Sequence, residues 1–200
     1  MERFDPSSEK IEFKEYYQTA DIVIFSEAVH GIHKKEICLF LDHFHDVING
    51  IFLEFTPDIQ ESFEVYLEQG VIDSQLQRVF DGAYAEGKEI SHETLAILDK
   101  AREYELEIVC FDARKRRTDE FPRRSPTGGV WFVKGTNRDE DMYTNVKEYV
   151  ARKPGKYLVI VGGGHISSEM FEGKYRRFGP LMAEHFGDRC TIIKPQMGSS

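Results

Sequence analysis

The chain has 200 residues, 40% of them apolar and 30% charged, and its 35 acids against 26 bases leave a formal net charge of −9. That length suits one domain with a single substantial core. The acidic balance argues against a broad nucleic-acid surface, which is normally basic, and no apolar run approaches the ~18 residues that a membrane span needs.

The polar, acidic start from Met1 to Lys10 is unlike the basic-then-apolar layout of a signal peptide. Cys38, Cys110 and Cys190 lie far apart with no Cys-x-x-Cys pair, as reduced thiols of the cytoplasm do. The expectation is a cytoplasmic protein with a small-molecule substrate and neither a nucleic-acid nor a membrane partner. Nothing in the sequence sets its oligomeric state.

The first strand signal, at 21–26, is Ile22-Val23-Ile24-Phe25 running into Ser26-Glu27. His33 to Val47 then places Ile37, Phe40, Leu41, Phe44 and Val47 at three- and four-residue spacings, one apolar stripe of a helix. A strand at 51–55 carries Ile51-Phe52-Leu53 into Glu54. After it, Thr56-Pro57 reads as an N-cap with proline at the first helical position, and Gly70 closes that helix. Ser91 is placed to cap a helix to about Tyr104, ahead of a strand at 107–111 in which Ile108-Val109-Cys110-Phe111 meets Asp112.

From Arg114 to Thr136 no periodicity holds, and Arg114-Lys115-Arg116-Arg117, Pro122-Arg123-Arg124 and Pro126-Thr127-Gly128-Gly129 suggest a long, irregular, basic loop. A helix from Arg138 to about Arg152, ended by Pro154-Gly155, precedes a strand at 157–162 whose Leu158-Val159-Ile160-Val161 opens onto Gly162-Gly163-Gly164-His165. A last strand is expected near 190–194, and the residues from Pro195 on read as a frayed tail. Short, continuously apolar strands alternating with helices predict an α/β fold. The expected architecture is one domain over residues 1–200 with a mainly parallel sheet of about five strands flanked by helices.

Ligands of open α/β sheets sit beyond the carboxyl ends of the parallel strands, which is where Glu27, Glu54, Asp112 and His165 fall. In Glu27-x-x-His30 a carboxylate can orient an imidazole that takes a proton from water; a helix-capping Glu27 and an ordinary loop His30 are the alternative. Glu54 ends an apolar strand, where a charge needs a partner, unless it caps the helix near Pro57. The glycines before His165 let the backbone turn and approach a ligand, with Gly163 and Gly164 offering amides to an anion; a plain tight turn is the other reading. They do not form a phosphate loop, having neither the Gly-Lys-Ser/Thr ending nor the Gly-x-Gly-x-x-Gly spacing. Arg138 opens a helix at its positive end, an odd place for a cation, so it serves a carboxylate or a ligand, or pairs on the surface with Asp139 or Asp141. His43 and His45, two apart on a helix, make a poor metal pair.

Taken in order, these motifs resemble a known superfamily. Glu27-x-x-His30-Gly31 is similar to the Gly-Glu-x-x-His-Gly motif of erythromycin esterase-like proteins. Phe52-Leu53-Glu54-Phe55 with Pro57-Asp58-Ile59-Gln60 resembles the strand end and following helix of ChaN-like, haem-uptake proteins. Arg138-Asp139-Glu140-Asp141-Met142 with Asn145-Val146 resembles the segment that both groups place before their last catalytic strand. Val159-Ile160-Val161-Gly162-Gly163-Gly164-His165-Ile166 resembles the Val-Gly-x-Gly-His segment of ChaN, TraB and Tiki relatives. Together they span about residues 21 to 170 of the EreA/ChaN-like, or Tiki, pattern.

The resemblance implies an α/β hydrolase site of Glu27, His30, Glu54 and His165 that cleaves an ester, lactone or amide without an obligatory metal. Arg138, Asp112, Gly163 and Gly164 would hold the substrate. The Tiki branch implies instead a divalent-metal-dependent hydrolase or protease built on two Gly-x-x-His motifs; Gly162-x-x-His165 fits that form, whereas Ser26 stands where a glycine is expected. The ChaN branch implies a haem or small-ligand protein without catalysis, for which Tyr84, Tyr104 or His165 would be axial candidates. The chain is far shorter than an erythromycin esterase and lacks its helical insertions, so macrolide hydrolysis is not expected. A further alternative is an interaction domain that uses the basic loop on an acidic partner.

Overall fold

The computed structural model describes residues 19–27, 34–80, 91–113, 122–124, 130–132, 138–168 and 176–194. Five strands form one parallel sheet: β1 (Ile22–Glu27), β2 (Gly50–Leu53), β3 (Glu107–Cys110), β6 (Tyr157–Gly162) and β7 (Cys190–Ile193), in the order β3-β2-β6-β1-β7. This is the expected α/β architecture, with each strand within two residues of its sequence signal. Two short strands, β4 (Pro122–Arg124) and β5 (Val130–Phe132), pair antiparallel inside the stretch expected to be irregular. Most of the rest of that stretch lies outside the described residues.

The strands are apolar on both sides because helices cover both faces. Val23 and Phe25 of β1, with Ile51, Leu53, Ile108, Leu158 and Ile160, face one core cluster. That cluster is roofed by α1 (Lys34–Phe44), α2 (Gln60–Gln69), α3 (Ser74–Phe80) and α4 (Ser91–Glu103). Ile22, Ile24, Phe52, Val109, Tyr157, Val159 and Val161 alternate to the other face, under α5 (Arg138–Arg152) and α6 (Phe178–Phe186). At the centre of that second layer, Phe52 meets Phe111, Tyr149 and Tyr157 edge-on, with ring centroids 6.0, 5.2 and 5.2 Å away. Such contacts add to the ~1.5–3 kcal/mol of burying each ring.

Four of the six described helices, α1, α2, α4 and α5, follow their sequence signals. Ile37, Phe40, Leu41 and Phe44 make the buried stripe of α1. α2 begins after a 3-10 turn at Pro57–Ile59 and ends on Gly70, whose φ of 70° is the left-handed cap that favours glycine. Thr56 has the extended N-cap backbone, but its side chain makes no capping bond, so proline at the first helical position sets this start. Two helices carry no clear signal in the sequence: α3, whose first amides at Gln75 and Leu76 are capped by Asp73 (3.0 and 2.7 Å), and α6. The three cysteines are free thiols, Cys110 buried and the others half-buried. Burial pushes the Cys110 thiol well up and that of Cys190 up to about 12, so both stay protonated and inert.

Candidate functional site

The carboxyl ends of β2 and β3 are tied together by Phe111 N–H donating to Leu53 O (3.3 Å) and Asp112 N–H to Phe55 O (2.9 Å). Glu54 and Asp112 are thereby neighbours. Asn145 on α5 donates its amide to Phe111 O (3.0 Å) and Asp112 O (3.4 Å), which fastens the start of α5 over the same ends. Arg138, the first residue of α5, reaches down from there. Its Nε and Nη2 grip the two oxygens of Asp112, each at 2.7 Å, and Nη2 also donates to Glu54 Oε1 at 2.7 Å. The forked geometry of guanidinium permits this double engagement. The second oxygen of Glu54 accepts the Gly162 N–H at 2.8 Å, tying β2 to the glycine turn beyond β6.

His165 stands in the 3-10 turn Gly163–Ile166 that follows. Its Nδ1 lies 2.6 Å from Asp139 Oδ1, and its Nε2 lies 3.3 Å from Glu54 Oε1 and 3.4 Å from Arg138 Nη1. Asp139 is itself held by the Phe178 N–H (3.0 Å) and by Arg177 Nη1 (3.6 Å). Burial alone would lower the imidazole's pKa. Hydrogen bonds and charge from Asp139 and Glu54 outweigh it and raise His165 to about 9. The ring is therefore a cation through neutral pH, with carboxylates at both nitrogens. Among these groups Arg138 alone is well exposed, at 44% of its side chain, against 7% for Glu54 and 13% for Asp112 and His165.

Of the residues expected from the sequence, Glu54, Asp112, Arg138 and His165 form one contiguous lattice. Glu27 is buried at the last position of β1, in register with Gly162, and so at the same edge of the sheet. His30 lies outside the described residues. Gly163 and Gly164 open the 3-10 turn, where first-turn amides have no partner within the turn. A Cβ on Gly164 would meet nothing within 4 Å, so close packing does not dictate glycine there. The amide that does bind a carboxylate is that of Gly162.

Asp139 and Arg177 are the site residues that sequence reasoning did not single out. Asp139 had a usable signal: with Met142, Val146 and Val150 it makes the buried face of α5, an acid on an apolar stripe. Tyr104 is away from this lattice, its hydroxyl donating to Asp42 at 2.6 Å and its ring stacked on His45. Tyr84 lies outside the described residues.

No known family pattern and no curated protein matches the chain. Solved structures do. A structure of bacterial protein toxins superposes with a TM-score of 0.64 over 88% of this chain at 16% identity; the chain spans only 35% of its length. A Bacillus cereus protein superposes with a TM-score of 0.65 over 96% of this chain and 70% of its own, at 15% identity. The haem-bound ChaN of Campylobacter jejuni is also similar, at 11% identity over 94% of this chain and 87% of its own, with a TM-score of 0.49. At these identities the likeness is one of fold alone. No helix among the described residues is long and apolar enough to cross a membrane.

Proposed function

We propose that the chain is a hydrolase of esters, lactones or amides whose centre is the His165 imidazolium at the strand ends. The observation that carries this reading is the clamp on His165: a buried aspartate at 2.6 Å from Nδ1, and Glu54 with the half-exposed Arg138 at Nε2. An imidazole held as a cation is a poor base at rest. It is suited to donating a proton to a leaving group or to stabilising an oxyanion. Asp139 fixes the ring's orientation and charge, as a buried carboxylate does for a catalytic histidine. The base for water is then assigned to His30, three residues past β1, with Glu27 as its partner in the Glu27-x-x-His30 motif. Arg138 keeps Glu54 and Asp112 in place and faces the incoming carbonyl.

A divalent ion fits the described donors poorly. Arg138 already lies 2.7 Å from both Glu54 and Asp112, and no group of three His, Cys, Asp or Glu among the described residues is placed to hold a metal ion. A haem reading would require His165 to leave its two carboxylates.

Hydrolysis of p-nitrophenyl acetate and of simple aryl amides and lactones tests the proposal. His165→Gln and His30→Gln should each lower kcat/KM about 10²–10⁴-fold with the fold retained. Parent-level activity in both variants would sink it.

A further inference from the structure

Among the described residues β3 is an edge strand, paired with β2 on one side only. Glu107 N–H donates to Asn49 O and Phe111 N–H to Leu53 O, so alternation turns the peptide groups of Ile108 and Cys110 outward, away from the sheet. Gln60 of α2 meets them there. Its Nε2 donates to Ile108 O at 2.7 Å, and its Oε1 accepts the Cys110 N–H at 2.8 Å. A carbonyl and the N–H two residues on are the pair that one residue of a parallel neighbouring strand engages. The Gln60 carboxamide thus occupies the place of a peptide group of a sixth strand.

Beside it runs a groove of about 310 Å³, walled by Pro57, Gln60 and Glu64 on one side and by Asn145, Glu148 and Tyr149 on the other, with β3 as its floor. At its foot Lys153 answers Glu107 at 2.6 Å, and Arg152 lines the wall. One turn further up, Glu64 and Glu148 are both exposed on opposite walls. We propose that this groove receives an extended basic segment of a partner protein, added as a sixth strand parallel to β3, with Gln60 as the latch that the segment displaces.

The exchange is close to balanced at the backbone. The incoming strand restores the two hydrogen bonds that Gln60 gives up, and Gln60, half-buried, retains its bond to Glu64 (2.9 Å). Selectivity then comes from side chains, which alternate along a strand between the two walls, so that neighbouring residues face α2 and α5 in turn. Basic ones meet Glu64 and Glu148. This surface goes beyond the hydrolytic reading and does not depend on it.

The test is fluorescence anisotropy on the whole chain, with a fluorescein-labelled octapeptide of repeating Val-Lys-Lys-Val, which presents lysine to both walls, and its counterpart with glutamate for lysine. The lysine peptide should bind and the glutamate peptide should not. Binding should weaken about tenfold in the double variant Glu64→Lys, Glu148→Lys and fall in ~0.5 M salt. Glu61→Lys, the same charge change elsewhere on α2, should leave it unaltered. Gln60→Ala removes the competing amide, and Gln60→Glu sets an oxygen against Ile108 O; each should tighten binding, about tenfold for Ala. Equal binding of both peptides, no loss in the double variant, or a Gln60→Ala chain that merely self-associates without tightening the peptide would each overturn the proposal.

Discussion

His165 links the site's geometry to the stability of the whole chain, and the link can be measured. A histidine that is protonated more readily when folded than when unfolded stabilises the fold fully below its unfolded pKa of 6.5, and that contribution disappears as pH rises through the folded value of about 9. Moving the ring from 6.5 to about 9 corresponds to about 3 kcal/mol. The charged groups facing it are Asp139 and Glu54 on either nitrogen, Arg138 beside Nε2, and Arg177 through Asp139. His165→Gln removes the titrating group but keeps a polar side chain. In urea unfolding it should be less stable than the parent by about 3 kcal/mol at pH 6, and the gap should close towards zero by about pH 10. Asp139→Asn still accepts the hydrogen bonds of His165 and Phe178 while losing its charge. Its stability should respond to pH less than the parent's, and the His165 ring, followed by NMR, should titrate at lower pH. A gap between parent and His165→Gln that stays constant from pH 6 to pH 10 would refute the claim that this ring is held as a cation by its neighbours.

The same protonation should shape catalysis: kcat/KM falls as pH rises through about 9, and in Asp139→Asn that limb moves to lower pH, as a rate profile will show. Arg138→Lys keeps the charge but cannot grip both Asp112 oxygens and Glu54 together; it should lose about 10²-fold in kcat/KM while urea stability changes by less than about 1 kcal/mol. Gly50→Ala places a Cβ 2.7 Å from Glu107 O, where β2 and β3 begin side by side. It should destabilise the chain by about 1–3 kcal/mol in chemical denaturation. Phe52→Ala, beneath three aromatic neighbours, should lower stability by about 3–5 kcal/mol in the same assay.

How much of this was legible beforehand depends on whether a residue's role is set by its own strand or by its partners. Glu54, Asp112 and His165 could be found because each interrupts an apolar run at a strand end, and parallel strands bring such ends together whatever the intervening sequence. Arg138 could be found because a cation at a positive helix end calls for a carboxylate. Asp139 was passed over because an acid in the first turn of a helix is ordinary, yet its place on the stripe of Met142, Val146 and Val150 marked it for burial. The charge of His165 was not legible at all. It depends on Asp139 and Glu54 arriving on opposite sides of one ring, and nothing in the spacing of those residues states that.

Gln60 lies further from the reach of sequence pattern. It sits in the first turn of a helix like any solvated glutamine, and its role exists only because β3 is at the edge of the sheet that the described strands form. Strand order decides which backbone groups are left over, and strand order is not written in any one segment. A residue that answers those groups is recognised by geometry: one carboxamide, with a donor at 2.7 Å and an acceptor at 2.8 Å, set where a neighbouring peptide would be. An unguarded edge invites pairing with other chains. A guard made of a single half-buried side chain, beside an open groove with acidic walls, resists indiscriminate pairing while remaining displaceable by a strand that brings its own basic contacts.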